Sequence, residues 1–560
     1  MKKLLTLFLL MLLAPQIWGV SAKPGSGLVH DGSLMPTWDD MGASDGVRRS
    51  SAMSKASVNP IGDKKILVIL TSFNDYSFNT HYAESSQVHD QAYYRSLLQS
   101  GDGLTVKKYY KQQSREKLNL SFQVIGPYMV NRSYQYYGET DAAGDNKRPG
   151  KLVYDVLNLA SGDIDADLDT CTVIIIHAGP GGEEGRRVGS NFIWSHKSSI
   201  SERRDYAIKY NIDGEKSIEP VTIGDNTFDN YIIVPEFSLW GNIAESTIGV
   251  YCHELGHIFG LLDAYDQTYA TAGVGQWSLM GGGEWGTMGD KGVAPGSDPA
   301  PFMAWELVKL GWVTEENITP ALGSDKRYTF SEINSQSKVY RVNLGGDQYL
   351  TLEGKKKNLS GEGLAVYESG LLISQIHNGI IDTYGPKNKM NYSGYRPHGS
   401  MVVEAKAANY MTNGLGNLWR SGAVNANRTT TTALFRSGTL TSLGPENNSG
   451  DTDLAFLPLF ITTVIGSGFA ISMVAALYAG RRRLCFIIAA LVTATCISMS
   501  CVIESGSGGG GGGGAYDKGP NTNYYTSISN VHSKTGYSGI TIYNIQCDEN
   551  GNGSFYIKKE

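Results

Sequence analysis

The stretch that most constrains this chain is Tyr251 to Asp263, YCHELGHIFGLLD. At about 100° per residue it sorts into two helical faces. His253, His257 and Gly260 fall on one; Ile248, Tyr251, Cys252, Leu255, Ile258, Phe259 and Leu262 fall on the other. Such a helix must bury its apolar back against a sheet while presenting two imidazoles, one turn apart, to whatever lies opposite. Glu254 sits on the flank beside His253. Two histidines at i and i+4 with a glutamate after the first form the zinc-protease arrangement, in which the rings hold the metal and the carboxylate handles the proton.

A bare HExxH also arises by chance on core helices. Here it is extended to HExxHxxGxxD and followed by a methionine-containing turn, WSLMGGGEW, from Trp277 to Trp285. A helix with two incidental histidines has no need of these additions. Gly260 can stop the helix, because glycine adopts left-handed backbone angles without strain. Asp263 can then swing back to serve as third metal ligand, with Asp266, Glu284 and Glu306 as alternative downstream carboxylates. Met280 is expected to pack beneath the metal as an apolar floor rather than to bind it. Tyr265 and Tyr269 lie nearby without an assignable role, and His177 and His196, each beside an apolar segment, read as structural.

The 560-residue chain is long enough for two or three domains. Its net charge of −6 gives no reason to expect a nucleic-acid partner. Residues 1–22 read as a secretory signal peptide: Lys2 and Lys3, an apolar run from Leu4 to Leu13, and the small residues Val20-Ser21-Ala22. The six cysteines form no disulfide framework, and Cys252 reads as a small buried side chain on the back of the site helix. Residues 23–63 form a polar leader or short pro-segment. It has no cysteine to mask a metal, although Asp39, Asp40 or Asp45 could do so.

Residues 64–320 read as the catalytic domain. Lys65–Leu70 (KILVIL), Cys171–His177 (CTVIIIH) and Tyr231–Val234 (YIIV) are buried-strand runs, and Leu118–Val130 is a strand that Pro127 marks as an edge or a break. Helical patterns at Gln91–Gln99, Thr105–Lys117 and Lys151–Leu159 alternate with them, which predicts an α/β domain with a mixed sheet behind the site helix. Asp163, Asp165, Asp167 and Asp169 alternate in a loop that lacks the EF-hand glycine and closing glutamate, so a solvated acidic loop is expected. Pro301–Leu310 reads as a short amphipathic helix. Residues 321–450 then turn to short alternating runs, a β-rich accessory domain.

Two nearly uncharged stretches follow, 454–480 and 484–503, each near the roughly 20 apolar residues needed to span a bilayer. Arg481, Arg482 and Arg483 lie between them, on the cytoplasmic side if the preceding domains are exported. Residues 506–514 are a glycine linker, and 515–560 a small extracytoplasmic tail with two strand-like runs around an ENGNG turn.

HELGHIFGLLDAYD and QWSLMGGGEW resemble the immune inhibitor A-type metallopeptidases, a secreted bacterial branch of the metzincins. The likeness extends through KILVILTSFND, YYKQQSREKLNLSFQVIGPY, NFIWSHK, PFMAWELVKLGWV, GLLISQI and HGSMVVEA, roughly Lys64 to Glu404. The resemblance implies a metzincin-like fold and a zinc endopeptidase acting on proteins or peptides, with His253, His257 and Asp263 as ligands and Glu254 catalytic. It also implies calcium in many relatives, but the acidic stretch expected after Glu404-Ala405 is replaced here by AANYMTNGLGN. The paired spans are not part of the common pattern. The alternative reading is a catalytically idle surface-binding protein that keeps the fold; an intact Glu254 argues against it.

Overall fold

From Ile66 to Leu70 every residue of the KILVIL run is fully buried, which requires cover on both faces of its strand. The computed structural model describes residues 57–80, 88–141, 145–182, 191–239, 244–267, 271–286, 294–359, 364–391, 398–405, 434–436, 442–443, 522, 524–525 and 535–560. Their helices are α1 (Gln91–Arg95), α2 (Val106–Gln113), α3 (Tyr134–Gly138), α4 (Pro149–Ala160), α5 (Ile200–Tyr210), α6 (Ile248–Ile258), α7 (Ala304–Lys309) and α8 (Asn378–Tyr384).

The principal sheet contains β1 (Gly62–Ser72), β2 (Leu118–Met129), β3 (Thr172–Pro180), β4 (His196–Ser199), β7 (Asn230–Leu239) and β8 (Ala244–Glu245); the small hairpin of β5 (Val221–Ile223) and β6 (Asn226–Phe228) stands apart from it. The order is β2-β1-β3-β7-β4, with β8 pairing onto β7. β2, β1, β3 and β7 run parallel, and β4 closes the sheet antiparallel to β7. Because alternate side chains point to opposite faces, the sheet separates two cores. Ile66, Val68 and Leu70 join α2 and α6 in one; Leu67 and Ile69 join Leu152, Val153, Val156 and Leu157 of α4 in the other. β2 is the edge strand, and its register with β1 shifts between Ile69 and Thr71, opposite Pro127, where the chain has no N–H to offer.

The acidic loop after α4 is tied down rather than simply solvated. The Lys65 ammonium contacts Asp165 at 2.9 Å and Asp167 at 2.6 Å, and the Lys65 N–H donates to Asp169 at 2.8 Å. The expected helix Pro301–Leu310 is shorter, α7, since Pro301 precedes it and Gly311, at φ +71°, ends it.

Beyond α7 lies a five-stranded sheet, β14-β13-β12-β11-β9, of β9 (Thr314–Asn317), β11 (Lys338–Gly345), β12 (Gln348–Lys355), β13 (Gly370–His377) and β14 (Ser400–Val402). β10 (Asp325–Phe330) leaves that sheet and pairs with β18 (Gly553–Lys559), which forms a hairpin with β17 (Ile540–Cys547). β15 (Tyr524–Tyr525) and β16 (Thr535–Gly536) make a two-stranded ribbon. The two strand-like runs of the tail are therefore not a separate unit: they complete a three-stranded sheet begun more than 200 residues earlier, with Ile540, Ile542, Phe555 and Ile557 fully buried.

Among the described residues no helix is long and apolar enough to cross a membrane. The expected spans 454–480 and 484–503, the signal segment, the glycine linker, and Asp39, Asp40 and Asp45 lie outside the described residues.

Candidate metal centre

Every residue of α6 is buried. Tyr251, Cys252 and Leu255 on its back are fully inaccessible, and burying a side chain such as Leu255 contributes about 1.5–3 kcal/mol. α2 braces that back: the Tyr110 O–H donates to the Cys252 carbonyl at 2.6 Å, and its ring meets Phe259 edge-on at 5.4 Å. Cys252 and Cys171 are both free thiols.

The helix ends at Gly260, whose φ of +93° only glycine adopts cheaply. The Gly260 N–H donates to the His257 carbonyl and the Leu261 N–H reaches back to Gly256, both at 3.0 Å, which is the Schellman pattern. The reversal brings Asp263 back across the histidine face. Its Oδ1 lies 3.2 Å from His253 Nε2 and 3.1 Å from His257 Nε2. All three ligand atoms lie within 4.8 Å of one another, and among the described residues no other group of three His, Cys, Asp or Glu side chains converges this way.

Backbone carbonyls set the tautomers. His253 Nδ1 lies 3.0 Å from the Leu279 oxygen, and His257 Nδ1 lies 3.0 Å from the Leu261 oxygen. A carbonyl can only accept, so in each neutral ring Nδ1 carries the proton and Nε2 keeps its lone pair for the Asp263 side. Two imidazole lone pairs and one carboxylate oxygen are the donor set of a first-row divalent metal. The residues present therefore fit a metal ion.

Charge points the same way. Burial works against a protonated His253, but Glu284, Asp263 and Glu254 outweigh it and raise its pKa to about 10. Burial likewise opposes the Asp263 anion, yet the two imidazoles hold its carboxyl well below the usual range. Three carboxylates around two rings make surroundings that favour a cation.

Met280 is fully buried, and a Cβ placed at Gly256 would meet its sulfur at 2.6 Å, so the sulfur packs directly against the helix next to His257. The Ala264 N–H donates to the Met280 carbonyl at 2.7 Å, tying the turn to the Asp263 loop.

The alternative carboxylates have other partners. Asp266 accepts from the Thr271 N–H and hydroxyl, each at 3.1 Å. Glu306 accepts from the Ser278 hydroxyl at 2.7 Å and the Met303 N–H at 2.7 Å, and burial pushes its pKa up to about 7. Ser278 Oγ in turn receives the Met280 N–H at 2.9 Å, so Glu306 braces the methionine turn. Glu284 lies against the other side of His253, with Oε2 3.3 Å from Nδ1. Tyr265 stacks on the His253 ring at 6.2 Å, whereas Tyr269 lies outside the described residues. His177 and His196 are engaged elsewhere: His177 Nδ1 with the Ala178 oxygen, His196 with the Trp194 oxygen and the Tyr231 hydroxyl.

Sequence reasoning missed two neighbours of Asp263. Gln267 donates to Asp263 Oδ2 at 3.0 Å, and its i+4 spacing was a usable signal. Asn388, 125 residues away, donates to the same oxygen at 2.5 Å, and no local pattern announces it.

A mixed sheet, a buried helix bearing two rings, and a carboxylate returned by a glycine turn form the kind of arrangement expected of a metallopeptidase domain. The catalytic-domain model of the immune inhibitor A peptidase M6 family matches residues 162–313. The chain is 28% identical over 300 residues to immune inhibitor A of Bacillus thuringiensis subsp. alesti, covering 46% of this chain and 41% of that protein. It is 27% identical over 304 residues to the pre-pro-metalloprotease PrtV of Vibrio cholerae serotype O1 (strain M66-2), covering 46% of this chain and 31% of that one. The chain thus spans less than half the length of these curated relatives.

Proposed function

We propose that this protein is an exported zinc endopeptidase in which His253, His257 and Asp263 hold the metal and Glu254 is the general base. The observation that carries the reading is the convergence of three ligand atoms within 4.8 Å at the end of one buried helix. Zinc bound there supplies Lewis acidity, lowering the pKa of water toward about 7 and polarising a peptide carbonyl. The chain's own groups do the rest. Glu254 stands on the same helix, one residue from His253 and nine-tenths buried, where a carboxylate can take the proton of the attacking water and deliver it to the leaving amine. The carbonyls of Leu279 and Leu261 keep both rings in the metal-binding tautomer. Asp263 offers one oxygen to the metal side, while its other oxygen is held by hydrogen bonds.

The substrates are proteins or peptides outside the cytoplasm. The signal-like residues 1–22 support export, and the name of the Vibrio relative, a pre-pro-metalloprotease, describes a protein made as a precursor. A tether through 454–480 and 484–503 rests on hydropathy and on the arginines between them. Calcium finds no support of this kind: Asp165, Asp167 and Asp169 of the acidic loop are committed to Lys65, Asp163 accepts from the Tyr128 hydroxyl, and residues 407–417 lie outside the described ones.

The test is Glu254→Ala in the full chain. It is expected to retain stoichiometric zinc and to lose casein cleavage by about 10²–10⁴-fold, the usual size of a general-base effect. Cleavage equal to wild type would refute the assignment.

A further inference from the structure

We propose that Asn388 is a positioning residue for the metal centre: it fixes which oxygen of Asp263 faces the two histidines, so that the β-rich segment completes a site otherwise built by the catalytic domain. The inference rests on the reading of His253, His257 and Asp263 as a zinc site.

Asp263 lies beyond the end of α6, on a loop, and its carboxylate has two chemically equal oxygens. Something must choose between them. Asn388 grips the residue twice: its Oδ1 accepts the Asp263 N–H at 2.8 Å, and its Nδ2 donates to Asp263 Oδ2 at 2.5 Å. The amide orientation follows from the partners, since an N–H needs an acceptor and a carboxylate needs a donor. Gln267 donates to the same Oδ2 at 3.0 Å. With Oδ2 occupied twice, Oδ1 is the oxygen left toward His253 and His257, at 3.2 and 3.1 Å. Ligands held by hydrogen bonds of this kind bind metal with less reorganisation.

Asn388 is itself held rigidly. It is buried and takes a left-handed backbone, φ +52°, at the end of the turn Gly385–Lys387, a conformation that asparagine tolerates better than other side-chain-bearing residues. Its neighbours grip the residues flanking Asp263. A Cβ at Gly385 would meet Leu262 Cδ1 at 2.8 Å, so the turn packs against the residue before Asp263. Asn391 donates to the Ala264 carbonyl at 2.8 Å, on the residue after it, and accepts the Ser400 N–H of β14 at 3.0 Å. Three consecutive residues of the ligand loop are thus clamped by one segment between α8 and β14. That segment lies outside residues 162–313, the part matched by the family's catalytic domain.

The experiment compares full-length wild type with Asn388→Asp and Asn388→Gly. Asn388→Asp keeps the shape and the acceptor for the Asp263 N–H but sets a second carboxylate against Oδ2. Asn388→Gly keeps the left-handed turn without strain and removes both bonds. Zinc affinity is measured by competition with a chromogenic chelator, and the visible spectrum of the cobalt-substituted protein reports ligand geometry. Both variants are expected to bind zinc roughly 10–100-fold more weakly and to shift the cobalt bands, with the larger loss for Asn388→Asp. Melting of the metal-free proteins separates this from a purely structural role, which would lower stability and leave the cobalt spectrum alone. If Asn388→Asp does not fold, Asn388→Gly decides. Wild-type zinc affinity and an unchanged cobalt spectrum in the variants would overturn the positioning role. A wild type that holds no stoichiometric zinc would overturn the metal-site reading beneath it.

Discussion

His253 and His177 are both buried imidazoles in one domain, and their surroundings drive them in opposite directions. His177 sits among Phe73 and Tyr134 at the end of β3, and burial lowers its pKa to about 4. His196, half-buried and bonded to neutral groups, is lowered to about 4 as well by the desolvation of its ring. At His253 the same desolvation is overcome by Glu284, Asp263 and Glu254, and the pKa rises to about 10. Burial by itself keeps an imidazole neutral and makes it a packing element. Burial among carboxylates makes a place for a cation. The difference separates a candidate metal ligand from a structural histidine better than the residue type does.

The strongest way to break this comparison is to remove a ring from the metal side. His257→Ala is expected to lose stoichiometric zinc and, with it, casein cleavage by at least the roughly 10²–10⁴-fold loss expected of Glu254→Ala, since it removes a ligand rather than a proton carrier. Metal content by atomic emission, beside the cleavage assay, checks it. Retained zinc would mean that the rings do not form the site.

A smaller effect is expected at Glu284, whose Oε2 lies 3.3 Å from His253 Nδ1. Glu284→Gln keeps the shape and removes the charge behind the ring, and should weaken zinc binding by about tenfold, at the low end of such outer effects. A chelator-competition titration that gives the wild-type affinity would show that the carboxylate does not act through His253.

The smallest effect belongs to the structural histidine and appears in stability rather than in metal binding. The folded pKa of His177 lies below that of a free imidazole, so the neutral ring stabilises the fold above pH 6.5 and that contribution is lost as pH falls toward about 4. His177→Gln should cost roughly 1–3 kcal/mol at pH 8, leave zinc binding unchanged, and flatten the decline in stability between pH 6.5 and 4. Urea unfolding at several pH values measures this. An unchanged acid limb would place the sensitivity elsewhere.

Much of the candidate metal centre was legible because its parts are local. The spacing of His253 and His257 is one helical turn, Gly260 carries the end of the helix in its missing side chain, and Asp263 follows at a fixed distance along the chain. The buried runs Ile66–Leu70 and Val173–Ile176 were readable for the same reason: strands covered on both faces are apolar throughout. Glu284 was visible as a nearby carboxylate, but its position at Nδ1 rather than Nε2 depends on how the methionine turn folds under α6. Nothing local marks Asn388, whose partner is 125 residues away, or Arg327 facing Tyr556 across β10 and β18.

By itself, then, the sequence determined the elements whose chemistry repeats with the period of a helix or a strand: the site helix, the two histidines one turn apart on it, its terminating glycine and the alternating strands behind it. Only the tertiary structure decided which oxygen of Asp263 faces the rings, which distant side chain holds the other, and which strand the tail completes. The reason is physical. Local periodicity is imposed by backbone geometry within a few residues, whereas a long-range hydrogen bond or strand pairing is selected by packing, which brings together residues with no fixed spacing along the chain.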